Sequence, residues 1–164
     1  MKLALWGEET SQTFIGAYQN TIELHLFSSR PVPADHVVAL ALYQEDLLFT
    51  KHKQRGLEWP GGKVEKDETP LEAVVREIRE ETGAEVQSVW QVGHYIVYPQ
   101  EGPSFIKNIY VAIISQIVME RFSGYDTLGP VLVSRHVQPS PHLGFSPLVC
   151  DGVFQAVRNK VLCL

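Results

Sequence analysis

Residues 62–84 read Gly62-Lys63-Val64-Glu65-Lys66-Asp67-Glu68-Thr69-Pro70-Leu71-Glu72-Ala73-Val74-Val75-Arg76-Glu77-Ile78-Arg79-Glu80-Glu81-Thr82-Gly83-Ala84. Thr69 is a helix-capping residue, Pro70 suits a first turn, and Glu72 stands three positions on in a capping-box relation. Leu71, Val74, Val75 and Ile78 recur at i, i+3, i+4 and i+7, which predicts an amphipathic helix burying all four, with Gly83 as its stop. Glu77, Glu80 and Glu81 share one face of that helix. At about 100° per residue the acidic stripe borders the apolar one, so the acids stand at the lip of the buried surface.

Like-charged neighbours at this spacing cost a few tenths of a kcal/mol each on an exposed helix, and more near a core. A divalent cation with hard oxygen ligands, Mg²⁺ or Mn²⁺, would offset that repulsion. The rival reading is a solvated, salt-bridged face, since Glu72–Arg76 and Arg76–Glu80 are good i, i+4 pairs. The preceding Pro60-Gly61-Gly62 shifts the balance. Its glycines let backbone groups approach a ligand, and Lys63 adds a local cation.

Working outward, residues 20–27 alternate Ile22, Leu24 and Leu26 with Thr21, Glu23 and His25, the pattern of a half-buried strand. Residues 28–35, with Pro31 and Pro33, break it. The apolar run 37–43 suits a strand buried on both faces, and Gln44-Glu45-Asp46 turns it into a second strand at 47–50. Downstream, 86–98 and 105–118 are β-rich runs joined by Pro99-Gln100-Glu101-Gly102-Pro103, a long hairpin. A strand at 131–133 and a helix over 147–162 complete the expectation. There are too few βαβ units for a doubly wound fold, so an α/β arrangement is expected, a mixed sheet flanked by helices.

The chain has 164 residues, the size of one domain spanning 1–164. With 45% hydrophobic and 20% charged residues it can bury a full core, which excludes wholesale disorder. A net charge of −5 excludes coating of a nucleic-acid duplex, which needs a basic footprint, but not a grip on one phosphorylated small molecule. Cys150 and Cys163 are too few for a disulfide scaffold and match no zinc spacing. The six histidines, at 25, 36, 52, 94, 136 and 142, show no metal spacing and read as structural or surface groups. No signal peptide and no apolar run of ~20 residues is visible, so a soluble, cytoplasmic protein without a membrane partner is expected.

Gly62-x5-Glu68-x7-Arg76-Glu77-Ile78-x-Glu80-Glu81-x-Gly83-Ala84 resembles the Nudix box, the signature of hydrolases of nucleoside diphosphates linked to another moiety. Every charged and glycine position matches; Ala84 stands where a larger aliphatic is usual. Glu58-Trp59-Pro60-Gly61-Gly62-Lys63 is similar to the approach to the box in MutT-type enzymes, which sanitise oxidised nucleoside triphosphates. Tyr18-Gln19-Asn20-Thr21, Arg55-Gly56, Lys107-Asn108-Ile109-Tyr110 and Leu128-Gly129-Pro130-Val131-Leu132 are similar to MutT-like nucleoside triphosphatases of bacilli.

The resemblance implies a Nudix-type α/β/α sandwich. It implies that the Gly61 carbonyl with Glu77, Glu80 and Glu81 holds Mg²⁺, with Mn²⁺ as a substitute. Arg76 would orient Glu77, Glu68 would pin the turn into the helix, and Gly62 and Gly83 would support the loop. Glu77 or Glu80 is the expected proton acceptor. The implied activity is hydrolysis of a nucleoside triphosphate, such as a purine one or 8-oxo-dGTP, to the monophosphate and pyrophosphate. Rivals are an RNA 5′-pyrophosphohydrolase, an ADP-ribose pyrophosphatase and a non-catalytic nucleotide sensor. Relatives also allow a homodimer.

Some relatives use a further acid at the end of a later strand. Gln116 falls near that place, with Glu101, Glu120 and Asp126 as substitutes. Lys51, Lys53 and Arg55 would share a face if their strand continues, as a strip steering phosphates towards the loop alongside Lys63. Trp59 reads as a core plug before a base-stacking platform, and Phe145 as either.

Overall fold

The computed structural model describes residues 1–28 and 32–164. Nine strands form one mixed sheet: β1 (Thr10–Ile15), β2 (Thr21–Leu26), β3 (His36–Tyr43), β4 (Asp46–His52), β5 (Gly56–Glu58), β6 (Gly61–Lys63), β7 (Ala84–Tyr98), β8 (Phe105–Ile117) and β9 (Thr127–Ser134). Two helices are long, α1 (Pro70–Thr82) and α2 (Val153–Leu162). The order across the sheet is β1-β2-β7-β8-β3-β4-β5, with β6 also on β3 and β9 on β4. β3 and β8 are parallel and the other pairings antiparallel, as a mixed sheet requires.

The centre of the sheet is split. β3 and β4 pair only through 41–43 and 46–48. Beyond that, β6 takes the free edge of β3, and β5 pairs with the far end of β4. The Pro60 carbonyl, between β5 and β6, accepts from the Ala39 amide at 2.9 Å. This split seats the glycine loop inside the sheet instead of over its edge.

Each face carries one helix. Val74, Ile78 and Ala73 of α1 pack with Val37, Ala39, Ala41, Leu48, Tyr110 and Ala112. On the other face Val153, Phe154, Val157 and Val161 of α2 pack against Leu24, Val38, Leu40, Phe49 and Trp59. Phe154 meets Phe49 and Trp59 edge-on at 5.3 and 5.5 Å, a geometry worth about 0.5–1.5 kcal/mol per pair beyond its buried area. Trp59 is therefore a core plug, and Phe145, edge-on to Phe49, is core as well.

The capping box at Thr69 and Glu72 forms on both sides, and Gly83 closes α1 at φ 70°. The apolar stripe needs correction. Val74 and Ile78 are buried, but Leu71 is 48% and Val75 37% exposed, and Ala73 takes the inward place. α2 begins at Val153, six residues after the expected start, because Gly152 has φ 89° and the Asp151 carboxylate accepts from the Val153 amide at 2.9 Å. β1 went unpredicted because its Thr-Ser-Gln-Thr run is mostly exposed and carries no apolar alternation. Residues 28 and 32–35 of the break expected at 28–35 form no strand, and 29–31, with Pro31, lie outside the described residues.

Candidate active site

A cleft of about 680 Å³ opens where the split sheet, the glycine loop and α1 meet. Gly61 and Gly62, on β6, pair with Val38 and Val37 of β3. A Cβ on Gly62 would overlap the Glu77 carboxylate, so only glycine lets that acid lie against the loop.

Arg76 ties the loop to the helix. Its Nε donates to Glu68 at 2.7 Å and its Nη2 to the other Glu68 oxygen at 3.0 Å. Nη2 also donates to the Lys63 carbonyl at 3.0 Å, while Nη1 reaches Glu77 at 3.0 Å and Glu80 at 3.2 Å. Such a fork, satisfied on both sides, is a geometry that lysine cannot reproduce. It holds the Glu68 carboxyl below its ordinary range, chiefly through the Arg76 hydrogen bond and then the Glu65 amide.

Glu77 and Glu81 are shifted the other way from Glu68. Burial pushes Glu77 up despite Arg76. Glu81 is pushed up to about 9, first by burial and then by the charge of Glu77. Among the described residues its carboxylate has one hydrogen bond, a long one from the Gly61 amide at 3.3 Å. Two desolvated carboxylates side by side with too few donors fit a hard divalent cation. Glu80 lines the same cleft but is turned onto Arg76. Among the described residues, no three acidic, imidazole or thiol side chains converge as a ready cation cage. To meet Glu77 and Glu81 around a cation, Glu80 would have to leave the guanidinium.

The remaining expected residues divide. Lys63 lines the cleft. Arg55 lines it too, but its guanidinium is held by Glu58 at 2.6 and 3.2 Å. Lys53 does not line it. β4 ends at His52, and the Lys53 ammonium donates to the Tyr125 carbonyl at 2.6 Å and sits 5.7 Å from that ring's centre. The basic strip expected from a continued strand is thus replaced by a turn at 53–55, and Lys51 is exposed outside the cleft. Of the candidate extra acids, Asp126 alone lines the cleft. Glu120 lies in a separate groove with Leu71 and Val75, Glu101 is exposed between β7 and β8, and Gln116 bonds Glu85.

Further lining residues escaped the sequence reading as site residues, among them His36, Tyr95, Lys107 and Thr127. Thr127 Oγ1 and His36 Nδ1 are buried without a hydrogen-bond partner. The one signal for Lys107 is parity. It occupies the same face of β8 as Ile109 and Val111, whose side chains are in the core.

The NUDIX domain profile matches residues 32–128, more than half of the chain. The chain belongs to the Nudix hydrolase family. This Nudix hydrolase is 42% identical over 152 residues to YtkD of Bacillus subtilis (strain 168), a candidate 8-oxo-dGTP diphosphatase, covering 88% of this chain and 91% of that one. A 32-residue segment is 59% identical to the 8-oxo-dGTP diphosphatase of Escherichia coli (strain K12), covering 20% of this chain and 25% of that one. Among solved structures, a variant of the Bacillus subtilis pyrophosphohydrolase BsRppH superposes with a TM-score of 0.82 at 35% identity, over 91% of this chain and 94% of that one. A NUDIX hydrolase from Nitrosomonas europaea shares the fold at 21% identity, TM-score 0.61, over 80% of this chain and 95% of that one.

Proposed function

We propose that this Nudix hydrolase is a Mg²⁺-dependent nucleoside triphosphate pyrophosphohydrolase, releasing a nucleoside monophosphate and pyrophosphate from a purine substrate such as 8-oxo-dGTP. The observation that carries the reading is the pair of half-buried carboxylates beside the glycine loop, Glu77 held by Arg76 and Glu81 by one long hydrogen bond from the Gly61 amide, both pushed up by burial. The likeness to YtkD supports the substrate class.

Glu77, Glu80, Glu81 and the Gly61 carbonyl would hold the cation, which when bound polarises phosphoryl oxygens and lowers the pKa of the attacking water. Arg76 keeps Glu77 against Gly62 and releases Glu80 to the cleft. Glu77 or Glu80 accepts the proton of the water. Lys63, on β6 beside the loop, steers the polyphosphate. Phosphoryl transfer needs mainly positioning and charge stabilisation, which this loop–helix unit supplies.

The likeness to BsRppH favours a second reading, hydrolysis at the 5′ end of triphosphorylated RNA. Competition separates the two. With 8-oxo-dGTP and 5′-triphosphorylated RNA in one reaction, the proposal expects the mononucleotide to have the higher kcat/KM. A higher value for the RNA would install the second reading. Among the described residues no helix is long and apolar enough to cross a membrane.

A further inference from the structure

Away from the acids, the floor of the cleft is a row of side chains on four neighbouring strands. Lys63 of β6 pairs with His36 of β3, His36 with Lys107 of β8, and Lys107 with Tyr95 of β7. Lys107 stands two strands from Lys63, about 10 Å at ordinary strand spacing. That is roughly the reach from a nucleotide's polyphosphate to its base.

Among the described residues the Lys107 ammonium has no hydrogen bond or ion pair. Its Nζ lies 5.8 Å from the Tyr95 ring centre and 5.7 Å from that of Phe105. Burial lowers its pKa, and the carboxylates that act on it, Asp151 and Glu58, only partly restore it. His36 stands beside it, edge-on to Phe105, with an orphaned Nδ1. Trp59 and Tyr95, largely packed in the core, also line the cleft. A second phosphate would meet the repulsion of Glu58 and Asp151. A neutral heteroaromatic ring with a carbonyl acceptor meets none.

On the proposed reading of the cleft as a nucleotide site, we infer that Lys107 reads the base, donating to the 6-oxo group of a guanine-type purine and discriminating against adenine. The 6-oxopurine edge offers O6 and N7 as acceptors, whereas adenine puts an amino donor where O6 would be. An ammonium has only donors. Adenine therefore leaves a half-buried donor unpaired and faces it with another, the kind of mismatch that a polar site rejects. Guanine and 8-oxoguanine both carry O6, so Lys107 does not separate these two.

The test uses four triphosphates: GTP, ITP (6-oxo, no 2-amino group), ATP and 2-aminopurine riboside triphosphate (2-amino, no 6-oxo group). The wild type should favour GTP and ITP over ATP and the 2-aminopurine nucleotide by about tenfold to a hundredfold in kcat/KM, the discrimination expected of one good base contact. Lys107→Met should bring the GTP:ATP ratio to within about threefold of unity, chiefly through KM, and Lys107→Gln, which keeps a donor, should restore part of it. Equal losses for all four nucleotides would assign Lys107 to the phosphates or to the fold, and an unchanged ratio would remove it from recognition; both overturn the inference. Binding of α,β-methylene analogues of GTP and ATP to the same proteins is the second arm. If no triphosphate is turned over, the triphosphatase reading fails. Guanine-selective binding lost in Lys107→Met would still uphold the inference, and equal binding of both analogues by the wild type would overturn it.

Discussion

At the helix end of the cleft one guanidinium is shared among Glu65, Glu68, Glu77 and Glu80, and Glu81 is buried with a single weak donor. At the strand end the half-buried Lys107 ammonium lies near two aromatic rings, with no carboxylate among the described residues in hydrogen-bonding contact. One end has more acceptors than donors, and the other has a donor without an acceptor. On the proposed reading a bound cation and polyphosphate would complete the first, and a base carbonyl the second. Neither end is built for stability; each carries a desolvated charge that only a ligand relieves.

The sharpest way to break this contrast is to neutralise the helix end. Glu80→Gln or Glu81→Gln should lower kcat by at least ~10²-fold, with thermal stability in metal-free buffer equal or slightly higher as repulsion is relieved. Steady-state kinetics and a melting curve on each variant check both halves. Arg76→Lys comes next. It keeps the charge but loses the fork that serves Glu68, Glu77 and the Lys63 carbonyl together, so kcat should fall by at least ~10-fold. Wild-type kinetics there would reduce Arg76 to a salt-bridged helix face.

These two predictions concern residues whose place on one helix was legible in the sequence. Residues 61–83 are contiguous, and helical spacing alone puts Glu77, Glu80 and Glu81 on one face. The strand end is assembled from β3, β7 and β8, so its members have no common spacing to read. Leu71 and Val75 show the limit of periodicity even within the box. The helix leans on the sheet through Ala73, Val74 and Ile78, and a small alanine gives no hint that it is the inward residue. The turn at 53–55 likewise depends on a tertiary bond, Lys53 amide to Asp126 carbonyl at 2.8 Å, which a strand pattern cannot announce.

Asp126 sharpens the comparison at smaller scale. It lines the cleft while Glu101 and Glu120 do not, so Asp126→Ala should cost about tenfold in kcat/KM through lost positioning. Glu101→Ala and Glu120→Ala should stay within about twofold, as solvated carboxylates usually do. Measuring all three on one substrate decides between a site closed within 61–81 and one that extends to 126.

The smallest effect lies behind the strand end. Asp151 is pushed up to about 6, mainly by burial, from 3.8 in an unperturbed chain. The folded state then binds more protons than the unfolded state between those values, so this group's stabilisation is full at low pH and is lost as pH rises through about 6. The wild-type stability minus that of Asp151→Asn should therefore decrease from pH 4 to pH 7. Urea melts of both proteins across that range measure the slope, and a difference that grows with pH would contradict the burial of this carboxyl.

The central claim is that the buried acids of the glycine loop and α1 direct cleavage within the polyphosphate. GTP incubated with Mg²⁺ and resolved by product should yield GMP and pyrophosphate in equal amounts, without orthophosphate, and nothing in excess chelator. GDP with orthophosphate, or full turnover in chelator or in the Glu80→Gln/Glu81→Gln double variant, would contradict it.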